Sequence, residues 1–439
     1  MMTPPNVVFV ALDTLRADHM GCYGYDLNTT PNIDKLAKDA IIFGDCIAPG
    51  IPTHPGYTSM FTGTHPLSHE VVCHSGSHIL AREIPLLSEI LYKEKYVTIA
   101  VDNLTGTGAP WFSRGYEYYV FTGGITVISG GYKVSGEIAT QKAVNFLKLW
   151  KEGRLGSGPL FMFVHYWDPH APYTPPPPFR GALHKAETQP TLLRPLMEKT
   201  AWGKGLLKSW VGRIIERDGD GKAHVDSLYD EEILYTDHQV SQFLQCMKEE
   251  GIYDDSVIVI TADHGELLGE HAIYYDHHGL YEGDIHVPLI IKVPDMPLGS
   301  EVKGLVTHED ITPTVLELLG VKTGARFDGE SLASHAEEGR VARDSVVCVE
   351  NTRMTKRAIR TEQWKLIQTL RPDIYGNPAG YLELYDLDKD PQESKNLAES
   401  DEDTAEELLL KLEAHYRQKI RGKPDPLMVQ PISLPITPY

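Results

Sequence analysis

Val7-Val8-Phe9-Val10-Ala11-Leu12, followed at once by Asp13, is the stretch that decides the fold. Three further apolar runs of the same kind recur at residues 97–101, 160–164 and 257–260. Short apolar runs without polar alternation are typical of strands that are buried on both faces of a sheet. The sequence therefore predicts at least four strands of one buried sheet.

Helical patterns separate these runs, at residues 31–40, 84–93, 134–151 and 229–250. Alternation of strands and helices predicts an α/β fold with a mainly parallel central sheet and helices on both faces. Beyond residue 340 the pattern changes to three short strand-like runs and a helix, which predict a small C-terminal antiparallel sheet with a helix. These elements are expected at residues 357–360, 364–367, 381–385 and 401–421.

This organisation predicts a catalytic domain over residues 1–340, a small C-terminal α+β subdomain over 341–421 and an extended proline-rich tail over 422–439. The tail is either a disordered end or an arm that grips a second copy of the chain in a homo-oligomer. The polar stretch at residues 216–225 is expected to be a surface insertion.

Polar residues follow each of the four predicted strands. In open α/β sheets, ligands bind outside the carboxyl ends of the strands, so these residues are expected to converge on one crevice. The groups concerned are Asp13, the pair Asp102-Asn103, the segment from His165 to Asp168, and the pair Asp263-His264. Aspartate and histidine are common metal ligands, which makes this crevice the candidate site.

Composition limits the classes of partner that the protein is expected to bind. Among 439 residues, 61 Asp and Glu outnumber 41 Lys and Arg, and the formal net charge of -20 argues against nucleic acid as a partner. The N-terminus lacks a basic region and a cleavage site, and no run is long enough to span a membrane, so we expect a cytoplasmic protein without a membrane partner. The five cysteines are an odd number in no paired spacing, so they do not indicate a disulfide framework.

Four segments, in order, carry a family resemblance. They are Leu12 to Asp18 (LDTLRAD), Thr53 to Gly63 (THPGYTSMFTG), Thr261 to Glu266 (TADHGE) with its continuation to Pro288, and Leu384 to Leu387 (LYDL) with its continuation to Leu397. Together they span nearly the whole chain and resemble the sulfatase-like branch of the alkaline phosphatase superfamily. The resemblance implies the alkaline phosphatase-like fold and hydrolysis of an ester bond.

One departure from the family pattern concerns the nucleophile. Sulfatases carry a cysteine, matured to formylglycine, in a Cys-x-Pro-x-Arg motif, whereas this chain has Thr53, keeps Pro55 and has Tyr57 in place of the arginine. The formylglycine mechanism is therefore not open to this sequence. The chain resembles a threonine-nucleophile type, similar to phosphodiesterases and phosphonate monoester hydrolases.

A second departure concerns the metal. The resemblance implies that Asp13, Asp263, His264 and the Thr53 oxygen hold one divalent ion, and an imidazole in place of the usual amide favours Zn²⁺ or Mn²⁺ over Ca²⁺. A second ion is an open alternative. Its candidate ligands are His170, Asp168 and either His277 or His278, of which His277 replaces the family's usual lysine.

The resemblance also implies roles for the remaining site residues. Thr53, His170 and His277 are the catalytic candidates, and His74, Asn103 and Tyr57 are the candidates for substrate contact. Without the arginine suited to a dianion, the segment favours phosphodiesters or phosphonate monoesters, cleaved through a phospho-threonine intermediate. The alternatives are a sulfate-ester hydrolase, a phosphotransferase and a non-catalytic metal-binding relative; in each catalytic case the partner is a small anionic ester.

Overall fold

The computed structural model describes residues 4–123, 135–183, 190–294, 296 and 299–432. Its strands, in chain order, are β1 (Asn6–Leu12), β2 (Ile41–Ile47), β3 (Gly50–Ile51), β4 (Val97–Asp102), β5 (Tyr118–Phe121), β6 (Leu160–Tyr166), β7 (Ser256–Thr261), β8 (Leu267–Leu268), β9 (Tyr274–Asp276), β10 (His286–Lys292), β11 (Ser300–Thr307), β12 (Val346–Glu350), β13 (Lys356–Arg360), β14 (Trp364–Thr369) and β15 (Leu382–Asp386). The four strands predicted from apolar runs are β1, β4, β6 and β7.

Eight strands form the central sheet, in the order β11-β2-β10-β7-β1-β6-β4-β5. All neighbours are parallel except for β10, which runs antiparallel to both β2 and β7. The predicted mainly parallel sheet is therefore confirmed. The four strands that were predicted from the sequence are contiguous at its centre, where the strands are fully buried.

The α-helices in the described ranges are α1 (Ile33–Ala37), α2 (Thr53–Thr62), α3 (Pro66–His69), α4 (Leu87–Lys93), α5 (Gly136–Lys151), α6 (Arg194–Met197), α7 (Ala201–Leu207), α8 (Trp210–Asp218), α9 (Lys222–Glu249), α10 (Glu282–Ile285), α11 (Ile311–Leu318), α12 (His335–Glu338), α13 (Glu402–Ile420) and α14 (Pro426–Val429).

All six residues of β4 are buried, and successive side chains of a strand point to opposite faces. Both faces of the sheet are therefore covered at β4.

The C-terminal sheet has the order β15-β14-β13-β12-β3. Strands β12 to β15 are antiparallel, and α13 packs on them through Leu408 and Leu412, as the sequence predicts. The fifth strand, β3, pairs in parallel with β12 and lies two residues before Thr53. The small sheet therefore supports the segment that leads into the candidate nucleophile.

Two predictions about irregular segments are wrong. Residues 216–225 are not an insertion: α8 ends at Asp218 and α9 begins at Lys222, so that only a turn lies between two helices. The tail is not fully extended, because Asp425 caps α14 by accepting a hydrogen bond from the backbone N–H of Leu427 at 2.9 Å.

The tail packs on its own chain: Leu427 is buried and Lys423 pairs with Glu70 at 2.7 Å. Residues 433–439, the rest of the proposed arm, and residue 134, the predicted start of a helix, lie outside the described residues. The domain boundary at residue 340 stays a prediction.

All five cysteines are free thiols. None of the helices in the described ranges is long and apolar enough to cross a membrane.

Candidate metal centre and active site

Asp13, Asp263 and His264 lie together at the carboxyl ends of two neighbouring strands. Asp13 directly follows β1, and the pair Asp263-His264 comes just after β7, which pairs with β1 in parallel. One ligand atom from each of the three residues lies within 4.8 Å of the others, and all three side chains are fully buried. The crevice predicted from strand ends therefore forms at this point.

The orientation of His264 suits a metal ligand. Its Nδ1 lies 2.8 Å from the carbonyl oxygen of Gly265, so Nδ1–H donates there and Nε2 carries the lone pair. Nε2 lies 3.3 Å from Asp263 Oδ2 and 3.8 Å from Asp13 Oδ1. Burial and the nearby His277 lower the pKa of His264 well below its ordinary value, which keeps the ring neutral and able to bind a cation.

The two carboxylates fit a divalent cation. Within the described part of the chain, no hydrogen bond reaches either oxygen of Asp13 or the Oδ2 of Asp263. Burial, followed by the charge of Asp13, raises the pKa of Asp263 well above its ordinary value. Two buried carboxylates that are short of partners require a positive charge between them. The donor set predicted from the sequence, Asp13, Asp263 and His264, is thus present as a group.

Thr53 is the first residue of α2 and is almost fully buried. Its Oγ1 lies 3.4 Å from His264 Nε2, which places the hydroxyl next to the metal-ligand group. The close approach depends on Gly56, because a Cβ at that position would lie 2.6 Å from the carbonyl oxygen of Asp263. Any larger residue at 56 would push α2, and Thr53 with it, away from β7.

His277 lies beside this group as a cation. Its ring centroid is 4.3 Å from that of His264, and its Nδ1 is 3.3 Å from Glu266 Oε1. Burial opposes its charge, but the hydrogen bond to Glu266 and the neighbouring Asp276 outweigh burial and raise the pKa of His277 to about 9. The lysine-to-histidine replacement seen in the sequence therefore keeps a positive charge near neutral pH.

His170 and His74 complete the histidine set. The His170 ring lies 5.3 Å from His277, and its Nδ1 is bonded to the carbonyl oxygen of Ala171 at 2.6 Å. His74 stacks on His54 with ring centroids 4.1 Å apart, and burial lowers its pKa well below the ordinary value. Both line the same pocket as Thr53 and His277.

Two residues predicted as ligands of a second metal have other partners. Asp168 Oδ2 accepts a hydrogen bond of 2.8 Å from the backbone N–H of Gly136, so this carboxylate binds the N-terminus of α5. In His278, Nδ1 forms a hydrogen bond of 3.1 Å with Asp276, and Nε2 forms one of 2.9 Å with the hydroxyl of Tyr375. Both ring nitrogens of His278 are thus engaged, and of this pair it is His277 that lines the pocket.

Two of the predicted substrate contacts do not reach the pocket. Tyr57 is fully buried on α2, and its ring packs against Phe163 and His165 at centroid distances of 5.9 and 5.1 Å. Asn103 is buried at the start of the turn Leu104–Thr107, and Thr107 of that turn lines the pocket instead. The structure therefore assigns both residues to the surroundings of the site.

The sequence placed His165 in the crevice as a strand-end residue but gave it no individual role; in the structure it lies behind Asp13. Its Nε2 lies 3.4 Å from Asp13 Oδ2, its Nδ1 lies 2.8 Å from Asp102 Oδ1, and Asp102 in turn accepts a hydrogen bond from the Tyr119 hydroxyl. All of His165, Asp102 and Asp13 are buried. The available signal was position, since Asp102 and His165 each stand at the carboxyl end of a strand in the buried sheet.

Comparison with known proteins now adds to the geometry. The model of the sulfatase family matches residues 5–321, and the model described as N-sulphoglucosamine sulphohydrolase, C-terminal, matches residues 269–421. An N-acetylglucosamine-6-O-sulfatase of Bacteroides thetaiotaomicron is 24% identical, over 96% of this chain and 88% of its own length.

Two further similar proteins carry names other than sulfatase. A multifunctional alkaline phosphatase superfamily protein, PehA, of Trinickia caryophylli is 24% identical, over 77% of this chain and 78% of its own length. The solved structure of a phosphonate monoester hydrolase of Agrobacterium radiobacter superposes with a TM-score of 0.75 at 21% identity, covering 94% of this chain and 96% of the other. At that identity the superposition establishes the fold.

Proposed function

The chain belongs to the sulfatase family of ester hydrolases, and from that premise we propose that it hydrolyses monoanionic esters of sulfuric, phosphoric or phosphonic acid with Thr53 as the nucleophile. The observation that carries the proposal is the position of Thr53 Oγ1, 3.4 Å from His264 Nε2 and on the wall of the pocket. A hydroxyl placed beside a metal-ligand group is set up for activation.

The charge of the site favours a substrate with one negative charge. Of the described residues that line the pocket, Arg353 is the one Lys or Arg, and it is paired with Asp276 at 3.3 Å. A divalent ion would be balanced by Asp13 and Asp263, and His277, which pairs with Glu266 at 3.3 Å, is the remaining cationic group beside Thr53. A dianionic phosphate monoester would bring more charge than these groups neutralise.

Sulfate and phosphorus esters stand on equal footing in this proposal. The preference for phosphorus drawn from the missing arginine is too narrow, because the curated relatives include sulfatases and the similar folds include a phosphonate monoester hydrolase. Sulfate monoesters, phosphodiesters and phosphonate monoesters all present a tetrahedral centre with one negative charge. The charge argument therefore admits all three.

In the proposed reaction, Thr53 releases its hydroxyl proton to solvent, from which His277 later regains the proton that it donates, and Thr53 Oγ1 attacks the sulfur or phosphorus while the bond to the leaving alcohol breaks. His277, charged near neutral pH, donates a proton to the departing oxygen, and the acid group stays on Thr53. Water then attacks this ester, which releases the acid and restores the threonine hydroxyl. The helix α2, which begins at Thr53, directs its N-terminal dipole to the developing negative charge.

Asp13, Asp263 and His264 would hold the divalent ion that this family generally uses. Such an ion supplies positive charge that favours the deprotonated hydroxyl and offsets charge in the transition state. We propose Zn²⁺ or Mn²⁺ over Ca²⁺ because one donor is an imidazole nitrogen and Ca²⁺ prefers oxygen.

The test is a substrate panel with matched variants. The metal-loaded protein is assayed with an aryl sulfate, an aryl phosphodiester, an aryl phosphonate monoester and a dianionic aryl phosphate. We expect turnover of at least one monoanionic ester, loss of it in Thr53→Ala, and partial retention in Thr53→Ser, which keeps a hydroxyl. Thr323→Ala, at an exposed position, serves as the control.

Two results would contradict the proposal. Unchanged turnover in Thr53→Ala would show that another group is the nucleophile. Turnover of the dianionic phosphate alone would refute the charge argument.

A further inference from the structure

A second group of buried carboxylates lies around Asp284. Asp284 belongs to α10 and is fully buried, and its backbone oxygen accepts a hydrogen bond of 2.7 Å from the N–H of Gly265. Glu266, the next residue of that loop, is also fully buried, and its Oε1 lies 3.3 Å from Nδ1 of His277. Neither carboxylate lines the pocket on whose wall Thr53 stands, so the group is separate from that pocket.

Three carboxylate oxygens of these two residues lack a hydrogen-bond donor. In the part of the chain that the structure describes, none reaches Oδ1 or Oδ2 of Asp284, or Oε2 of Glu266. Burial of a carboxylate without partners is unfavourable, and buried polar atoms are nearly always paired with protein, with water or with an ion. The three oxygens therefore indicate a ligand that carries positive charge.

The electrostatic surroundings of Asp284 are negative. Burial comes first, and the charges of Glu350, Glu266 and Asp276 add to it, so the pKa of Asp284 lies well above its ordinary value. Of these influences, Arg16 acts in the opposite direction and is the weakest. Its guanidinium group already pairs with two other carboxylates.

The neighbouring carboxylates have partners of their own. Asp276 pairs with Arg353 at 3.3 Å. Glu350 accepts hydrogen bonds from three backbone N–H groups, at 2.8, 3.0 and 3.2 Å. Asp284 is therefore the carboxylate of this group that lacks both a counter-charge and a donor, and one positive charge would balance it.

We propose that Asp284 and Glu266 bind one monovalent cation, Na⁺ or K⁺, through these three oxygens. Small hard cations take oxygen ligands, which carboxylates, backbone carbonyls and water supply. A divalent ion fits less well. Within the described ranges, the one set of three His, Cys, Asp or Glu ligand atoms that lie within 4.8 Å of one another is that of Asp13, Asp263 and His264. A single proton would serve at most two of the three oxygens, whereas an ion can contact all of them.

An ion at this position would join two separate parts of the chain. Asp284 lies on α10, and Glu266 lies in the loop that follows β7. A ligand that binds the folded chain alone raises its stability. Stability should therefore depend on Na⁺ or K⁺ at constant ionic strength, whichever ester the protein turns over.

Thermal unfolding measures this dependence, with Mn²⁺ present throughout to fill the group of Asp13, Asp263 and His264. The salts are KCl, NaCl and tetramethylammonium chloride at the same ionic strength, and the last cation is too large for a buried site. At about a hundred times Kd, K⁺ or Na⁺ should raise the melting temperature by about 3 °C. The ion with the larger effect is the one that the site prefers.

Two variants locate the effect. Asp284→Asn removes the unbalanced charge with little change in size, and it should melt at the same temperature in all three salts. Asp237→Asn is the control, because Asp237 is equally buried but accepts hydrogen bonds from the backbone N–H groups of Asn32 and Ile33 at 3.1 and 2.8 Å. This control should keep the response to K⁺ or Na⁺.

Crystals of the wild type soaked in a Tl⁺ salt locate the ion directly, even if Asp284→Asn does not fold. An anomalous peak beside the carboxylates of Asp284 and Glu266 supports the site. The inference is overturned by equal melting temperatures of the wild type in the three salts, by a salt response that persists in Asp284→Asn, or by the absence of a peak at Asp284.

Discussion

Replacing Asp263 by asparagine is expected to stabilise the metal-free protein, although it removes a candidate ligand. Asp263 and Asp13 are fully buried and present oxygens within 4.8 Å of each other. At an effective dielectric constant of about 20, two charges at that separation repel by about 3 kcal/mol. In the absence of metal, the folded state must bear this repulsion or bind a proton, and Asp263→Asn avoids both.

The pH dependence has a definite sign. The pKa of Asp263 is raised in the folded protein above its ordinary value of 3.8, so metal-free folded protein holds a proton that the unfolded chain releases. The contribution of Asp263 to the stability of the metal-free wild type is therefore fully present below about pH 4 and is lost as the pH rises through the raised pKa. The asparagine variant lacks this decline.

Urea unfolding near neutral pH measures the effect, with the protein first in a chelator and then in Mn²⁺. We expect Asp263→Asn to exceed the wild type by up to about 3 kcal/mol in chelator. In Mn²⁺ at about a hundred times Kd, the wild type should gain about 2.7 kcal/mol and the variant much less. The difference in the free energy of unfolding between the two proteins therefore narrows or changes sign when metal is added.

Asp310→Asn is the matched control, and it is expected to lower the free energy of unfolding of the metal-free protein where Asp263→Asn raises it. Asp310 is equally buried, but Arg343 donates to both of its oxygens at 2.6 and 2.8 Å. Its loss leaves Arg343 with Glu330, at 2.9 Å, and removes the bidentate buried pair, so the variant should lose up to about 3–5 kcal/mol with or without metal. The reasoning about Asp263 is refuted if Asp263→Asn is less stable than the wild type in chelator.

The remaining predictions concern the metal and the C-terminal sheet. His264→Ala should weaken Mn²⁺ binding by more than about 100-fold, measured by competition with a chromophoric chelator, while the exposed His238→Ala leaves it unchanged. Lys365→Met should lower the free energy of unfolding by about 3–5 kcal/mol, because the fully buried ammonium group pairs with two glutamates, one of them at 3.0 Å. Lys389→Met, at an exposed ion pair, should leave the urea midpoint unchanged.

The local sequence pattern was sufficient to predict the strands at the centre of the main sheet. Strands β1, β4, β6 and β7 are runs of apolar residues, and a strand with both faces buried needs such a run. Strands towards the edge were missed because their sequences are mixed: β2 contains Gly44-Asp45, and β11 contains Glu301 and Lys303. A partly exposed strand tolerates these residues, so its sequence carries a weaker signal.

Some residues of the candidate site could likewise be predicted from local sequence, and others could not. Asp13, Asp263 and His264 could be predicted because they stand at the ends of strong strands, and Thr53 could be predicted because it stands in a family motif. The choice between His277 and His278 could not, since neighbouring residues in a loop differ only in which partners the folded chain offers them. The tryptophans that line the pocket were also missed, because Trp202 and Trp210 lie on short helices with no motif and reach the pocket only through tertiary packing.

The order of the strands explains why His165 stands where it does. Reading across the sheet, β7, β1, β6 and β4 are neighbours, and the residues at or just beyond their carboxyl ends are Asp263, Asp13, His165 and Asp102 in the same order. Neighbouring strands lie about 4.8 Å apart, which brings each residue within reach of the next. Sequence order would have placed Asp102 beside Asp13. The parallel crossovers insert β6 between β1 and β4, so an imidazole separates two carboxylates that would otherwise repel each other. Asp13 therefore has Asp263 on one side and a chain of contacts through His165 to Asp102 on the other, which no local motif records.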